Sequence, residues 1–163
     1  MNYNEVNLNE SEFRSAWIIK EENIMVQLIV GEKGKGKTKE LLNLVDDTLA
    51  NAEGNVVYID KTQQHMYALN NKIRLIDASE YKLLDSHEFI GFLCGILSED
   101  NDLEAVFLDS FLTIANVEVK DLTPVIHRLN ELGTLFNVKF VASVSAKPED
   151  IEDEIKEYVK IAL

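Results

Sequence analysis

Residues Gly31-Glu32-Lys33-Gly34-Lys35-Gly36-Lys37-Thr38 satisfy the pattern G-x-x-x-x-G-K-[ST] in full, and each fixed position answers a demand of phosphate chemistry. Glycines let the backbone take positive φ and curl its N–H groups around anionic oxygens. The start of the following helix adds free N–H groups and a positive dipole end. Lys37 has the reach to sit between the β- and γ-phosphates of a nucleotide, and the Thr38 hydroxyl suits Mg²⁺. Lys33, Lys35 and Lys39 concentrate positive charge around the loop and would focus a polyanion on it. The flanks fit as well. An apolar run, Met25 to Val30, leads in, and Lys37 to Leu49 places Leu41, Leu42, Val45 and Leu49 on one helical face. A chance glycine turn is the alternative, but it rarely falls between a buried strand and an amphipathic helix. Binding of a nucleotide with Mg²⁺ is therefore expected, with Gly31, Glu32, Lys33, Gly34, Lys35, Gly36, Lys37, Thr38 and Lys39 as contacts.

A second acidic position completes such a site. The run Ala105-Val106-Phe107-Leu108 ends at Asp109, where a carboxylate can orient Mg²⁺ beside Thr38, usually through a bound water. Simple capping of the following helix is the competing role for Asp109.

These residues need a scaffold, and the chain alternates strand-like runs with helical patterns, as a mostly parallel sheet covered by helices requires. Strands are expected at Met25–Val30, Val56–Ile59, Ile73–Ile76, Ala105–Leu108 and Phe140–Val144. Between them, a helix over 86–98 starts at a capping-box spacing, Asp85 with Glu88. Thr123-Pro124 supplies an N-cap and first-turn proline for a helix through Leu135. Pro148 opens a last helix with Ile151, Ile155, Tyr158 and Val159 as its apolar stripe. The acids Glu149, Asp150, Glu152, Asp153 and Glu154 suit that helix's N-terminal dipole better than a metal. Residues 1–24 lack a clear period, although Phe13, Trp17 and Ile18 could form one apolar turn. They are expected to be a mobile or loosely docked extension, with Met25 as the functional start and 25–163 as the nucleotide-binding domain.

Over roughly residues 26 to 146 the order of these parts resembles the RecA-like branch of the P-loop NTPases, including RecA and KaiC. The likeness rests on the Walker A match Gly31–Thr38, a strand ending in Ile59-Asp60, a Walker B-like strand closing on Asp109-Ser110, and a final core strand ending near Ser143 or Ser145. The resemblance implies a three-layer α/β/α sandwich with a mostly parallel five-stranded sheet in the order 5-1-4-3-2. It also implies ATP hydrolysis that couples nucleotide state to a protein partner or a homo-oligomer, expected to be slow for want of the family's glutamate.

The chain departs from that family where water must be activated. The family's glutamate past the second strand falls near Thr62, within Asp60-Lys61-Thr62-Gln63-Gln64. Gln63 could orient a water but could not take its proton, and Asp60 could serve if turned inward. Lys37, Asp60, Thr62 and Gln63 are thus the catalytic candidates, and a non-hydrolysing nucleotide-binding regulatory module is the alternative. An arginine finger has few candidates, because Arg14, Arg74 and Arg128 are the only arginines and Arg128 flanks an apolar helix face. A small-molecule kinase is disfavoured by the lack of arginines in the plausible lid, 110–123. Ser145-Ala146-Lys147 matches a short GTPase element, but the companion N-K-x-D is missing and Asp109 lacks a glycine three residues on.

Sixteen basic against 29 acidic residues in 163 give a net charge of −13. That charge disfavours nucleic acid as a partner, since a phosphate backbone needs clustered Lys and Arg. The 46% apolar content is that of a folded domain. No run approaches a membrane span, and the start lacks the pattern of a signal peptide, so the cytoplasm is the expected compartment. Cys94, the single cysteine, reads as a buried structural thiol. His65, His87 and His127 show no metal-ligand spacing. Of these, His65 reads as a surface residue, with the mouth of the site as its other possible place.

Overall fold

A strand that buries nearly every residue leaves no side for water, so such strands collect in parallel sheets covered on both faces. The computed structural model describes residues 24–163. Its strands are β1 (Val26–Gly31), β2 (Asn55–Asp60), β3 (Arg74–Asp77), β4 (Leu103–Leu108), β5 (Lys139–Ser145) and β6 (Val159–Ala162). They form one sheet in the order β3-β2-β4-β5-β1-β6, and every neighbouring pair runs parallel. The α-helices of the described residues are α1 (Lys37–Asn51), α2 (Ser86–Glu99), the single turn α3 (Phe111–Ile114) and α4 (Leu122–Phe136).

The period of two along each strand divides the core between the faces. Val26, Leu28 and Val30 of β1 pack with Phe89 and Leu93 of α2 and Ile126 and Leu129 of α4. Ile29 points the other way and packs with Leu41 and Val45 of α1, beside Tyr58, Phe107 and Val141. The result is an α/β sandwich with α1 on one face and α2 and α4 on the other. The connection after β1 therefore leaves toward one face while those serving β4 and β5 lie toward the opposite one. This divergence opens a crevice at the carboxyl ends of the strands.

Three expectations need correction. The sheet has six strands, and its order differs from 5-1-4-3-2: β5 lies between β1 and β4, and β2 rather than β3 adjoins β4. Burial explains the second point. The last five residues of β2 are buried, whereas only one residue of the short β3 is, and Arg74 at its start is exposed, a composition suited to an edge. The stretch after Pro148 is not an α-helix. It forms two 3₁₀ segments, Pro148–Asp150 and Asp153–Tyr158, and then β6. Ile151, Ile155 and Tyr158 are buried as the stripe required, but Val159–Ala162 pairs with the otherwise open side of β1. The Leu163 N–H adds a bond to the Val30 carbonyl at 2.9 Å.

The starts of α1 and α2 fall where the sequence puts them, and that of α4 two residues earlier. Asp85 caps α2 by accepting from the Glu88 N–H at 2.9 Å, and Glu88 accepts from the Leu84 N–H at 2.7 Å. At α4 the helix begins at Leu122, because a 3₁₀ turn at Val119–Asp121 runs directly into it. Thr123 does not cap it. Its hydroxyl donates to Glu152 Oε2 at 2.6 Å, while Pro124 stays in the first turn, where its missing N–H costs nothing. Cys94 is half-buried rather than buried and is a free thiol. Of the expected extension 1–24, all but Ile24 lies outside the described residues. No helix among them is long and apolar enough to cross a membrane.

Candidate nucleotide site

The loop after β1 owes its shape to two glycines. Gly34 (φ 85°) and Gly36 (φ 92°) lie in the left-handed region, which costs a side-chain-bearing residue about 1–2 kcal/mol. Between them the chain turns back, with the Lys35 N–H bonded to the Glu32 carbonyl at 3.2 Å. Gly36 then directly precedes α1, whose first N–H groups have no partner within the helix. Lys37 folds back over the loop and donates from Nζ to the Glu32 carbonyl at 3.0 Å. Burial lowers its pKa, partly opposed by the negative charge of Asp109. Glu32, Lys33 and Lys35 are exposed around the loop, and Lys39 is exposed one turn into α1.

Asp109, just past β4, gathers four donors although its side chain is almost wholly buried. Thr38 Oγ1 donates to Oδ2 at 3.0 Å and Tyr58 Oη to the same oxygen at 2.8 Å. Ser143 Oγ donates to Oδ1 at 2.5 Å, and the Ser110 N–H lies 2.9 Å from Oδ1 and from Ser143 Oγ. The strands dictate this convergence. Tyr58 and Phe107 are register partners on β2 and β4, and Leu108 faces Ala142 on β5, so Asp109 emerges beside Ser143. Burial first, then the adjacent Asp109 carboxylate, pushes the Tyr58 hydroxyl far above the usual phenol range and keeps it a donor.

A cleft of about 590 Å³ opens over this arrangement. The loop contributes Lys33, Gly34, Gly36, Lys37 and Thr38, and Lys61, Asp109, Ser143 and Ser145 close its other sides. The sequence-expected site residues thus divide. Gly31–Thr38, Asp109 and the serines of β5 converge at one end of the sheet. Thr62 and Gln63 stay on an exposed turn: Thr62 Oγ1 accepts from the Gln64 N–H at 3.2 Å, and the Gln63 amide donates to Glu80 at 3.2 Å. Asp60 does turn inward and is buried, but it is engaged. Its Oδ1 accepts from the Lys61 N–H at 2.6 Å, and its Oδ2 lies 2.8 Å from His65 Nδ1.

Two participants, Tyr58 and Lys61, escaped the sequence reading, and a third, His65, was left between two places. His65 is not a plain surface residue. It is 27% exposed and its Nδ1 also lies 4.0 Å from Asp109 Oδ2. Tyr58 carried one signal, a phenol in an otherwise aliphatic run two residues before Asp60. Lys61 carried none, because a lysine after a strand is ordinary. Arg128, the finger candidate, is exposed and pairs with Glu131 on its own helix at 3.0 Å.

Hard oxygen donors in this arrangement fit Mg²⁺: a hydroxyl and a carboxylate 3.0 Å apart, next to a glycine-rich loop. No model of a known protein family matches the chain, and no curated protein matches it in sequence.

Proposed function

We propose that the protein binds Mg-ATP at the Gly31–Thr38 loop and hydrolyses it slowly, coupling nucleotide state to a protein partner or to its own oligomer. One observation carries this reading: Lys37 and Thr38, side by side at the start of α1, and Asp109 past β4 line one cleft at the carboxyl ends of the strands. The loop N–H groups and Lys37 would bind the phosphates. Thr38 and Asp109 would hold Mg²⁺, which when bound supplies charge neutralisation to the phosphates.

Slow turnover follows from the acids. Among the described residues, Asp109 is the one carboxylate lining the cleft, and Asp60 is held by His65 and the Lys61 N–H. A second reading, a nucleotide switch that does not hydrolyse, draws on the engagement of Gln63 with Glu80 outside the cleft. For the partner, Met66, Tyr67, Tyr81 and Leu84 are exposed on the segments that follow β2 and β3, near the carboxyl ends of those strands. The test is Mg-ATP calorimetry beside phosphate release, for wild type and Lys37→Ala. Binding with release, both lost in the variant, supports the ATPase. Binding without release supports the switch, and absence of binding ends both.

A further inference from the structure

Two buried carboxylates and one imidazole meet beside the phosphate loop. Asp60 at the end of β2 and Asp109 past β4 are 1% and 2% exposed. Together with His65 each offers one ligand atom, and these three atoms lie within 4.8 Å of one another. His65 Nδ1 stands 2.8 Å from Asp60 Oδ2 and 4.0 Å from Asp109 Oδ2. Ligands on bonds of about 2.1 Å to one cation stand about 3.0 Å apart when adjacent and about 4.2 Å when opposite. The observed spacings already approach a coordination shell. They do so from two places in the chain, the segment after β2 and the end of β4.

Burial strengthens the case. A dication there would face two carboxylates shielded from water, where its attraction to them is little screened. Among the described residues neither forms an ion pair with a lysine or arginine; His65 is the only basic side chain within 4.0 Å of either. Lys37 feels the Asp109 charge but gives its hydrogen bond to the Glu32 carbonyl. The neutral donors on Asp109, from Thr38, Tyr58 and Ser143, orient the carboxylate without neutralising it.

We infer that Asp60, His65 and Asp109 form a site for a first-row transition-metal dication, filled without nucleotide. Oxygen donors alone would suit Mg²⁺, whereas an imidazole nitrogen shifts preference toward transition metals such as Mn²⁺, Fe²⁺ and Zn²⁺. His65 is partly exposed, which leaves the third ligand accessible to an arriving cation. Each ligand serves in deprotonated form, with the imidazole neutral and one nitrogen free for the metal. The site shares Asp109 with the nucleotide centre but does not depend on ATP binding.

The test uses Mn²⁺ alone with the nucleotide-free protein, followed by electron paramagnetic resonance and by nitrogen modulation of the echo. One bound Mn²⁺ with imidazole-nitrogen coupling is expected, and the coupling should persist in His87→Ala and His127→Ala. It should vanish in His65→Ala, and affinity should fall at least about tenfold there and in Asp60→Asn. Equimolar Mg²⁺ should not displace the ion. Wild-type Mn²⁺ without nitrogen coupling, coupling unchanged in His65→Ala, or displacement by equimolar Mg²⁺ would each overturn the inference. The wild-type spectrum needs no variant to fold. Mg-ATP calorimetry on the same samples separates the two claims: ATP binding without nitrogen-coordinated Mn²⁺ defeats only this site, and the reverse defeats only the nucleotide reading.

Discussion

Tyr58→Phe removes one hydroxyl and leaves the ring, so it isolates the bond that Tyr58 makes to Asp109 Oδ2 at 2.8 Å. A hydrogen bond to a charged group is worth about 1.5–3 kcal/mol. Three other donors remain on Asp109, so the cost should fall at the low end, about 1.5 kcal/mol, or about 3–6 °C in Tm. Urea unfolding of wild type, Tyr58→Phe, Asp109→Asn and the double variant would measure it, the cycle giving the coupling between the two groups. A cost within about 0.5 kcal/mol, the range of an indifferent substitution, or no coupling would refute the account of how Asp109 is held. The same bond has a pH signature. Because burial and Asp109 raise the Tyr58 pKa in the folded state, the unfolded chain releases the phenolic proton first. Stability from this group is thus complete below about pH 10 and falls above it, by up to about 1.4 kcal/mol per pH unit. Tyr58→Phe should flatten that alkaline slope.

Other consequences follow from particular contacts. Gly36→Ala forces a side chain into φ 92° and should cost about 1–2 kcal/mol by thermal melting while weakening nucleotide binding more than stability alone explains. Ile155→Ala, in a fully buried position under the 3₁₀ segment that leads into β6, should cost about 2–5 kcal/mol in urea unfolding; a cost below 1 kcal/mol would deny that the C-terminal segment belongs to the core. Asp85→Ala should cost about 1 kcal/mol, since it removes the cap of α2, and nucleotide binding should be unchanged. Gln63→Ala should leave any phosphate-release rate unchanged, because the Gln63 amide is turned to Glu80; a large loss would return Gln63 to the cleft.

The glycine-rich turn between β1 and α1 was legible because its shape is local: eight consecutive residues carry the glycines, the lysine and the hydroxyl. Strand positions were legible for a similar reason, since burial on both faces writes itself as short apolar runs. Strand order was not, because which strand becomes an edge depends on modest differences in burial, such as those between Val56–Ile59 and the exposed Arg74 start of β3. The segment after Pro148 misled because a stripe at 151, 155 and 158 serves a 3₁₀ run packed on the core as well as an α-helix. The cluster of Asp60, His65 and Asp109 could not be read from spacing, because its members meet only when β2 and β4 pair. Thr62 and Gln63 show the limit of carrying a family position onto a chain: their turn folds outward, and the buried acid is Asp60.

The central claim is that Lys37, Thr38 and Asp109 bind Mg-ATP. Calorimetric titration of Mg-ATP into wild type and Lys37→Ala tests it most directly, with circular dichroism to establish that both are folded. The account predicts a single saturable site in wild type and its loss in the variant. Absence of heat and of saturation in a folded wild type, or equal binding by Lys37→Ala, would contradict it.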